Sequence, residues 1–492
     1  MKAISQKNLL GALLLNLWHL LLPAARAAEP APRPNILLIL VDDLGYGDIA
    51  CYNPQSKVPT PNLDRLAAGG NQLRAAYAPA SISTPTRYAM LTGRYSWRGP
   101  LKNGVLRPYD PPVMAPGTPT LALTMRAAGY QTACIGKWHL GWNWPTTDGR
   151  PVRADGDNYA SIAQRIDYDG QLTGGPLAYG FDYYYGEDVV NYPPYTYIEN
   201  DRFAAKPTGM RTAFSPSPYG HIPGMTSADW DDHKVETTQR DKVIDYLKTY
   251  AAQPASKPFF LYWASTAVHE PITPAKEFAG RTGLGAYEDY IAQLDDSVGQ
   301  VVRALDELQL REHTMIIFVS DNGPRQGGTR QSGHTSAGEF FGEKTTNWEG
   351  GHRVPLIVNW PGHIPPGAQT DQLFCIVDLH ASLAGLLAQP TPPSARDSEN
   401  LAPLLLGRAD AAGRDTVVLN PWNQVLGLRK GQWVYLDHAG SGGATMTNIK
   451  TLPTQLYDLS TDPGQKNNVV EQYPDRAREL KAELERIRRA ED

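Results

Sequence analysis

The sequence predicts an α/β fold: a large, mostly parallel sheet sandwiched by helices, followed by a smaller C-terminal α+β subdomain. Three observations predict it. Apolar runs such as residues 35–41 are continuous rather than alternating, as in strands covered on both faces. Such runs take turns with amphipathic helical stretches, the signature of a parallel sheet wrapped in helices. Past Pro390 the texture changes to short strand candidates separated by turn residues.

Residues 35–41 form the first strand, which ends on Asp42-Asp43. Thr60-Pro61 opens a helix through Leu63, Leu66 and Ala67, and Gly69-Gly70 closes it. Thr as cap, Pro in the first turn and Gly past the end are start and stop signals. Thr118-Pro119 repeats the device, with Gly129 as the stop. Residues 131–135 and 259–263 read as strands. Residues 287–308 read as a helix with Ile291, Leu294, Val298, Val301, Val302 and Leu305 on one side. Residues 315–319 form a further buried strand, ending on Ser320-Asp321-Asn322-Gly323, and 354–358 another. In the C-terminal part, 416–419, 425–428, 432–436 and 456–459 are strand candidates. Arg429-Lys430-Gly431 would turn the second into the third as a hairpin, and 476–490 is a charged helix. The expected plan is a signal peptide over 1–27, a catalytic domain over 28–390 and the α+β subdomain over 391–492.

The formal net charge of -5 and the lack of a long basic block argue against a nucleic-acid partner. Lys2 and Lys7 precede an apolar stretch over 9–22, and Ala25-Arg26-Ala27 makes a small-x-small cleavage pattern. Cleavage before Ala28 is expected, with the periplasm or extracellular space as the address. The competing reading is an uncleaved anchor, but the stretch is short for a span and Asn16 and His19 interrupt it. The 3 cysteines, Cys51, Cys134 and Cys375, make no disulfide framework and no zinc-like cluster.

Six segments carry chemistry. Ser83-Thr84-Pro85-Thr86-Arg87, continued by Leu91-Thr92-Gly93-Arg94, places Ser83 just before a helix N-terminus, where backbone N–H groups and the dipole favour an anion. Arg87, one turn in, could point back to the same place; a plain capped helix is the bland reading. Asp42-Asp43 and Asp321-Asn322 end two strands, on the side where open α/β sheets bind ligands. Three carboxylates and one amide oxygen suit a hard cation such as Ca2+, although either pair alone equally suits a turn. Gly136-Lys137-Trp138-His139-Leu140-Gly141 follows another strand. If it is extended, Lys137 and His139 share a face, a cation beside a proton-transfer group. His269-Glu270-Pro271 follows the 259–263 strand, and Lys344 precedes Glu349-Gly350-Gly351-His352-Arg353-Val354-Pro355.

Taken in this order, with Leu456-Tyr457-Asp458-Leu459 and Asp462-Pro463 near the end, these motifs resemble the type I, formylglycine-dependent sulfatases of the alkaline-phosphatase superfamily. The resemblance covers essentially the whole mature chain. It implies that Ser83 is oxidised to formylglycine by a maturase, a transient partner. A plain Ser hydroxyl is a weak nucleophile. An aldehyde hydrate offers two hydroxyls, one to attack sulfur and the other to drive sulfate expulsion. By the same resemblance, Asp42, Asp43, Asp321 and Asn322 hold one Ca2+ together with residue 83. Lys137 and Lys344 bind sulfate oxygens, His139 takes a proton during sulfate expulsion and His269 serves the leaving oxygen.

Substrate choice lies in loops rather than in the sulfate site. The aromatic and polar stretch 180–195 suits a sugar, or is simply a packed Tyr-rich loop. It resembles bacterial sulfatases acting on sulfated glycans, with galactose or N-acetylgalactosamine 6-sulfate as the candidates. Asp188 and Asn191 are the expected sugar contacts, and His221 and His233 weaker ones. An aryl sulfate would be accepted by the same core. The alternatives are a phosphate ester hydrolase of the same superfamily and a sulfoglycan-binding protein with unmodified Ser83.

Overall fold

The computed structural model describes residues 33–152, 159–212, 222–253, 257–443 and 454–490. The expected signal peptide and His221 lie outside the described residues. From Pro34 onward the chain forms one compact unit.

Its centre is a ten-stranded sheet. The strands in chain order are β1 (Asn35–Val41), β2 (Asn71–Leu73), β3 (Gln131–Gly136), β4 (Tyr183–Gly186), β5 (Ile198–Glu199), β6 (Arg202–Phe203), β7 (Phe259–Ala264), β8 (Thr314–Ser320), β9 (Leu356–Asn359) and β10 (Ala368–Thr370). Across the sheet they run β10-β2-β9-β8-β1-β7-β3-β4-β5-β6. The middle five, from β8 to β4, are parallel. β9 runs antiparallel to β8, and β5 to β4. The sheet is thus mostly parallel at its centre, with antiparallel flanks.

The continuous apolar runs have the expected cause. All seven residues of β1 are buried. Ile36, Leu38 and Leu40 face one core, while Leu37, Ile39 and Val41 face the other. The first core is closed by α2 (Ser83–Thr92), α3 (Leu121–Ala127) and α6 (Leu379–Leu386); the second by α1 (Pro61–Ala68), α4 (Val235–Ala251) and α5 (Ala286–Glu307). On α5 the residues Ile291, Leu294, Val298, Val301 and Leu305 are all fully buried, at the spacing of one helix face. Each such side chain contributes about 1.5–3 kcal/mol.

Two local readings shift. Helix α3 begins after Thr120, whose side chain accepts from Leu123 N at 3.2 Å, so Thr120 rather than Thr118-Pro119 is the cap. Ser83 is the first helical residue of α2, and Ile82 occupies the cap position.

The C-terminal part builds a four-stranded antiparallel sheet from β11 (Thr416–Leu419), β12 (Gly427–Lys430), β13 (Trp433–Leu436) and β14 (Gln455–Asp458), with helix α7 (Pro474–Arg489). The β12–β13 hairpin turns at Gly431-Gln432, one step later than expected, because Lys430 pairs with Trp433 and Gly431 supplies φ +54°. This sheet shares a core with the main body: Val417, Leu428 and Val434 cluster with Tyr77, Ala89 and Trp348.

Candidate active site

The parallel strands deliver the chemistry-bearing residues to one edge. Asp42 and Asp43 follow β1, Asp321 and Asn322 follow β8, and Lys137 and His139 follow β3. His269 lies beyond β7, and Asp188 just past β4. Backbone bonds stitch these ends together: Asp42 N donates to Ala267 O at 2.9 Å, Asp321 N to Val41 O at 2.9 Å, and Lys137 N to Ala264 O at 2.8 Å. At Gly136, φ is +107°, and a Cβ would stand 2.1 Å from Ala264 O, so the chain can leave the sheet here only as glycine. The segment beyond is therefore not extended as expected. His139 itself has φ +54°, Asp43 has +61° and Thr345, next to Lys344, has +76°. Three of the nine left-handed non-glycine residues among the described residues thus lie at or beside the site.

Ser83 stands at the start of α2 with 1% exposure, and its hydroxyl lies 3.3 Å from Asp42 Oδ1. Arg87 does point back, as expected. Its Nη2 donates to Asp42 Oδ2 at 2.9 Å and to Asp321 Oδ2 at 3.0 Å, and every group involved is fully buried. Lys137 Nζ lies 2.5 Å from Asp42 Oδ2, and Lys344 Nζ lies 2.7 Å from Asp43 Oδ1. Lys344 is itself held by Pro324 O, and the next peptide by Ser81 O, beside the start of α2. Asn322 Nδ2 donates to Asp43 Oδ1 at 2.7 Å. His269 Nε2 lies 4.0 Å from Asp43 Oδ2.

Three buried carboxylates therefore face three buried cations. Burial pushes the Asp42 carboxyl up, but the charges of Lys137, Arg87 and Lys344 prevail and hold it well below the usual range. Burial raises Asp43, against Lys344. Burial and the charge of Asp42 push Asp321 up to about 6. Lys137 is lowered by burial, whereas for Lys344 burial is outweighed by the combined charges of Asp43, Asp42 and Asp321, which raise it. Both histidines are held well below their ordinary value, His139 by burial and then Lys137, His269 by burial and then Lys344. In both, burial and the neighbouring ammonium favour the neutral imidazole.

The donor set fits a hard cation. Ligand atoms of Asp42, Asp43 and His269 lie within 4.8 Å of one another. The Oδ1 of Asn322 is buried and, among the described residues, has no hydrogen-bond partner. An orphaned amide oxygen beside three carboxylates is what a calcium site supplies.

Nine of the expected residues thus meet at one place: Asp42, Asp43, Ser83, Arg87, Lys137, His269, Asp321, Asn322 and Lys344. His139 adjoins them through Lys137. Its Nε2 lies 3.2 Å from Leu106 O, its N donates to Asp188 O at 3.2 Å, and its ring meets Tyr192 edge-on at 5.8 Å. Asp188 is pushed up to about 7 by burial, against the charge of Lys137. Asn191 is buried three residues further on. His233 is exposed at the entrance to α4, bound to Pro274 O. Sequence reasoning misses Tyr262, whose hydroxyl accepts from Arg87 Nη1 at 3.4 Å, and the Leu106 carbonyl. The first sits in an apolar strand, and the second is a backbone atom with no residue-type signal.

Buried carboxylates, cations and a hydroxyl gathered at the carboxyl edge of a mostly parallel sheet stand where open α/β folds bind their ligands. The comparisons give the family. The Sulfatase family profile matches residues 34–389. N-acetylgalactosamine-6-O-sulfatase of Bacteroides thetaiotaomicron is 34% identical over 506 residues, covering 94% of each chain. Human arylsulfatase A is 34% identical over 471 residues, covering 92% of this chain and 86% of its own. A solved structure from work on glycosaminoglycan metabolism by Bacteroides thetaiotaomicron superposes with a TM-score of 0.81 at 33% identity, over 93% of this chain and 99% of that one. The chain belongs to the sulfatase family and is a sulfuric ester hydrolase.

Proposed function

We propose that the chain removes 6-O-sulfate from N-acetylgalactosamine or galactose units of a sulfated glycan, with formylglycine made from Ser83 and with one Ca2+. The observation that supports this reading is the convergence of Lys137, Arg87 and Lys344 on Asp42 and Asp43, with the Ser83 hydroxyl on Asp42 Oδ1 and His269 beside Asp43. The sugar is supported by the likeness to N-acetylgalactosamine-6-O-sulfatase across nearly the full length of both chains.

Asp42, Asp43, Asp321 and Asn322 would hold Ca2+, which would supply positive charge beside the group at position 83. Formylglycine at position 83, as its hydrate, supplies two hydroxyls on one carbon. The protein's own residues do the rest. Arg87, anchored on Asp42 and Asp321, orients the group at 83. Lys137 and Lys344 turn from their carboxylates to the sulfate oxygens, where their charges act most strongly in the transition state. His139, kept neutral by burial, accepts the proton released as sulfate departs. His269 serves the leaving oxygen. It is neutral without substrate, and the incoming sulfate, an anion, raises its proton affinity so that it can donate. Asp188 and Asn191, beside His139 and Tyr192, would contact the sugar hydroxyls. Export through residues 1–27 accords with a glycan substrate outside the cytoplasm. Among the described residues, no helix is long and apolar enough to cross a membrane.

Two measurements test the reading. Mass spectrometry of the Ser83 peptide from the native host should show loss of two hydrogen atoms; an unmodified Ser in active material refutes the formylglycine mechanism. Matured protein should cleave aryl sulfate and release sulfate from N-acetylgalactosamine 6-sulfate. Preference for aryl phosphate would favour the phosphate ester hydrolase, and no turnover of either the sulfoglycan binder.

A further inference from the structure

Asp43 adopts a left-handed conformation, φ +61°, at the carboxyl end of β1. Something must hold it there. On one side Asp321 Oδ1 accepts from Asp43 N at 3.3 Å, and Ser320 Oγ from Leu44 N at 3.1 Å. On the other side stands Asp48, which has no role in the chemistry above and is fully buried. Its Oδ2 accepts from Gly45 N at 2.7 Å and from the Tyr287 hydroxyl at 2.7 Å, and its Oδ1 meets His334 Nε2 at 2.8 Å. The Tyr287 oxygen also lies 3.2 Å from Asp43 O. Lys57 N points at His334 Nδ1, which places the imidazole proton on Nε2, facing Asp48.

The clamp is built from distant parts of the chain. Tyr287 comes from α5, and the Arg330 guanidinium stacks over its ring at 3.6 Å. His334 comes from the loop that packs on Gly45 and Gly47, where Gly47 N donates to Ser336 O at 2.7 Å. A Cβ on Gly45 would stand 2.1 Å from Ser336 O, so only glycine lets that loop close over the turn. Three donors converge on one buried carboxylate, and that carboxylate grips the peptide two residues after Asp43.

We infer that Asp48, braced by Tyr287 and His334, is a positioning residue that fixes the Asp43 backbone and thereby the cation site. It touches neither substrate nor ion. This rests on the calcium reading given above. A purely structural role would lower stability without altering cation affinity, so the two are separable.

The test is calorimetric titration of intact, calcium-free protein with Ca2+, alongside its thermal unfolding midpoint. Asp48→Asn should bind Ca2+ about 10–100-fold more weakly, the usual effect of removing an outer partner of a metal ligand. Tyr287→Phe should weaken it in the same direction by less. Leu480→Ala, which opens a cavity under the C-terminal helix α7, should lower the unfolding midpoint and leave the affinity unchanged. If Asp48→Asn fails to fold, Tyr287→Phe decides. Wild-type affinity in the variants that fold overturns the positioning role alone; a wild-type protein with no Ca2+ affinity overturns this inference and the calcium reading together.

Discussion

Replacing Lys137 with Met probes how the site balances its charges. The ammonium is fully buried, 2.5 Å from Asp42 Oδ2. At that separation and an effective dielectric of about 20, the attraction is on the order of 7 kcal/mol. Desolvation of the two ions takes back several kcal/mol, and truncating one partner of such a pair costs about 3–5 kcal/mol because the other is left uncompensated. Calcium-free Lys137→Met should therefore be destabilised by that amount. Bound Ca2+ offers Asp42 a replacement cation, so most of the deficit should vanish at saturating Ca2+, and the variant should gain more stability from Ca2+ than the wild type does. Turnover should not recover: losing a donor to the sulfate oxygens lowers kcat about 100- to 1000-fold. Unfolding with and without Ca2+, paired with aryl sulfate kinetics on matured protein, measures both. Equal destabilisation in the two conditions would refute the idea that Lys137 and the cation share Asp42.

Calcium affinity should fall as pH drops through about 6, because Asp321 then holds a proton that the ion must expel; titrations at pH 6 in buffers of different ionisation enthalpy should reveal the released proton. Glu349→Gln should cost about 3–5 kcal/mol, since Glu349 is fully buried and its Oε2 takes Arg353 Nη2 at 2.7 Å and Tyr77 OH at 2.7 Å; chemical denaturation reads this. Phe318→Ala, in the centre of β8 at 0% exposure, should cost about 3–5 kcal/mol by opening a cavity. Asp188→Asn should reduce kcat/KM on N-acetylgalactosamine 6-sulfate far more than on aryl sulfate, and parallel losses on both would remove Asp188 from sugar recognition.

The parts of the fold legible in the sequence are those whose burial writes itself into residue type. Strand β1 matches its expected span, and β8 differs by a residue at each end, because strands buried on both faces are apolar throughout. Strand β2, Asn71–Leu73, is illegible: it is short and largely polar, and exists because β9 and β10 pair with it. Helix α4 is similarly hidden, since a run such as Glu236-Thr237-Thr238-Gln239-Arg240 carries little apolar periodicity and Glu236 and Gln239 are buried through hydrogen bonds instead. At the site, motif order finds Asp42, Ser83, Lys137 and Asp321, whereas their mutual contacts are tertiary. Asp48 looks like an ordinary turn residue until Tyr287 and His334, 239 and 286 positions away, close on it.

The pairing of β1 with β8 also sets a clock. Val41 lies opposite Ser320, so the sheet edge that encloses Ser83 cannot close until the chain has been made that far. Once it closes, Ser83 is 1% exposed and out of reach of any large modifying protein. Roughly 240 residues separate Ser83 from Asp321, and at about 5–20 residues per second their synthesis takes on the order of 10–50 s. On the proposed function, an enzyme that converts this side chain to formylglycine would have to act within that interval or on a chain kept unfolded afterwards. The topology that shields the finished site would thus confine the proposed maturation of Ser83 to the chain's youth.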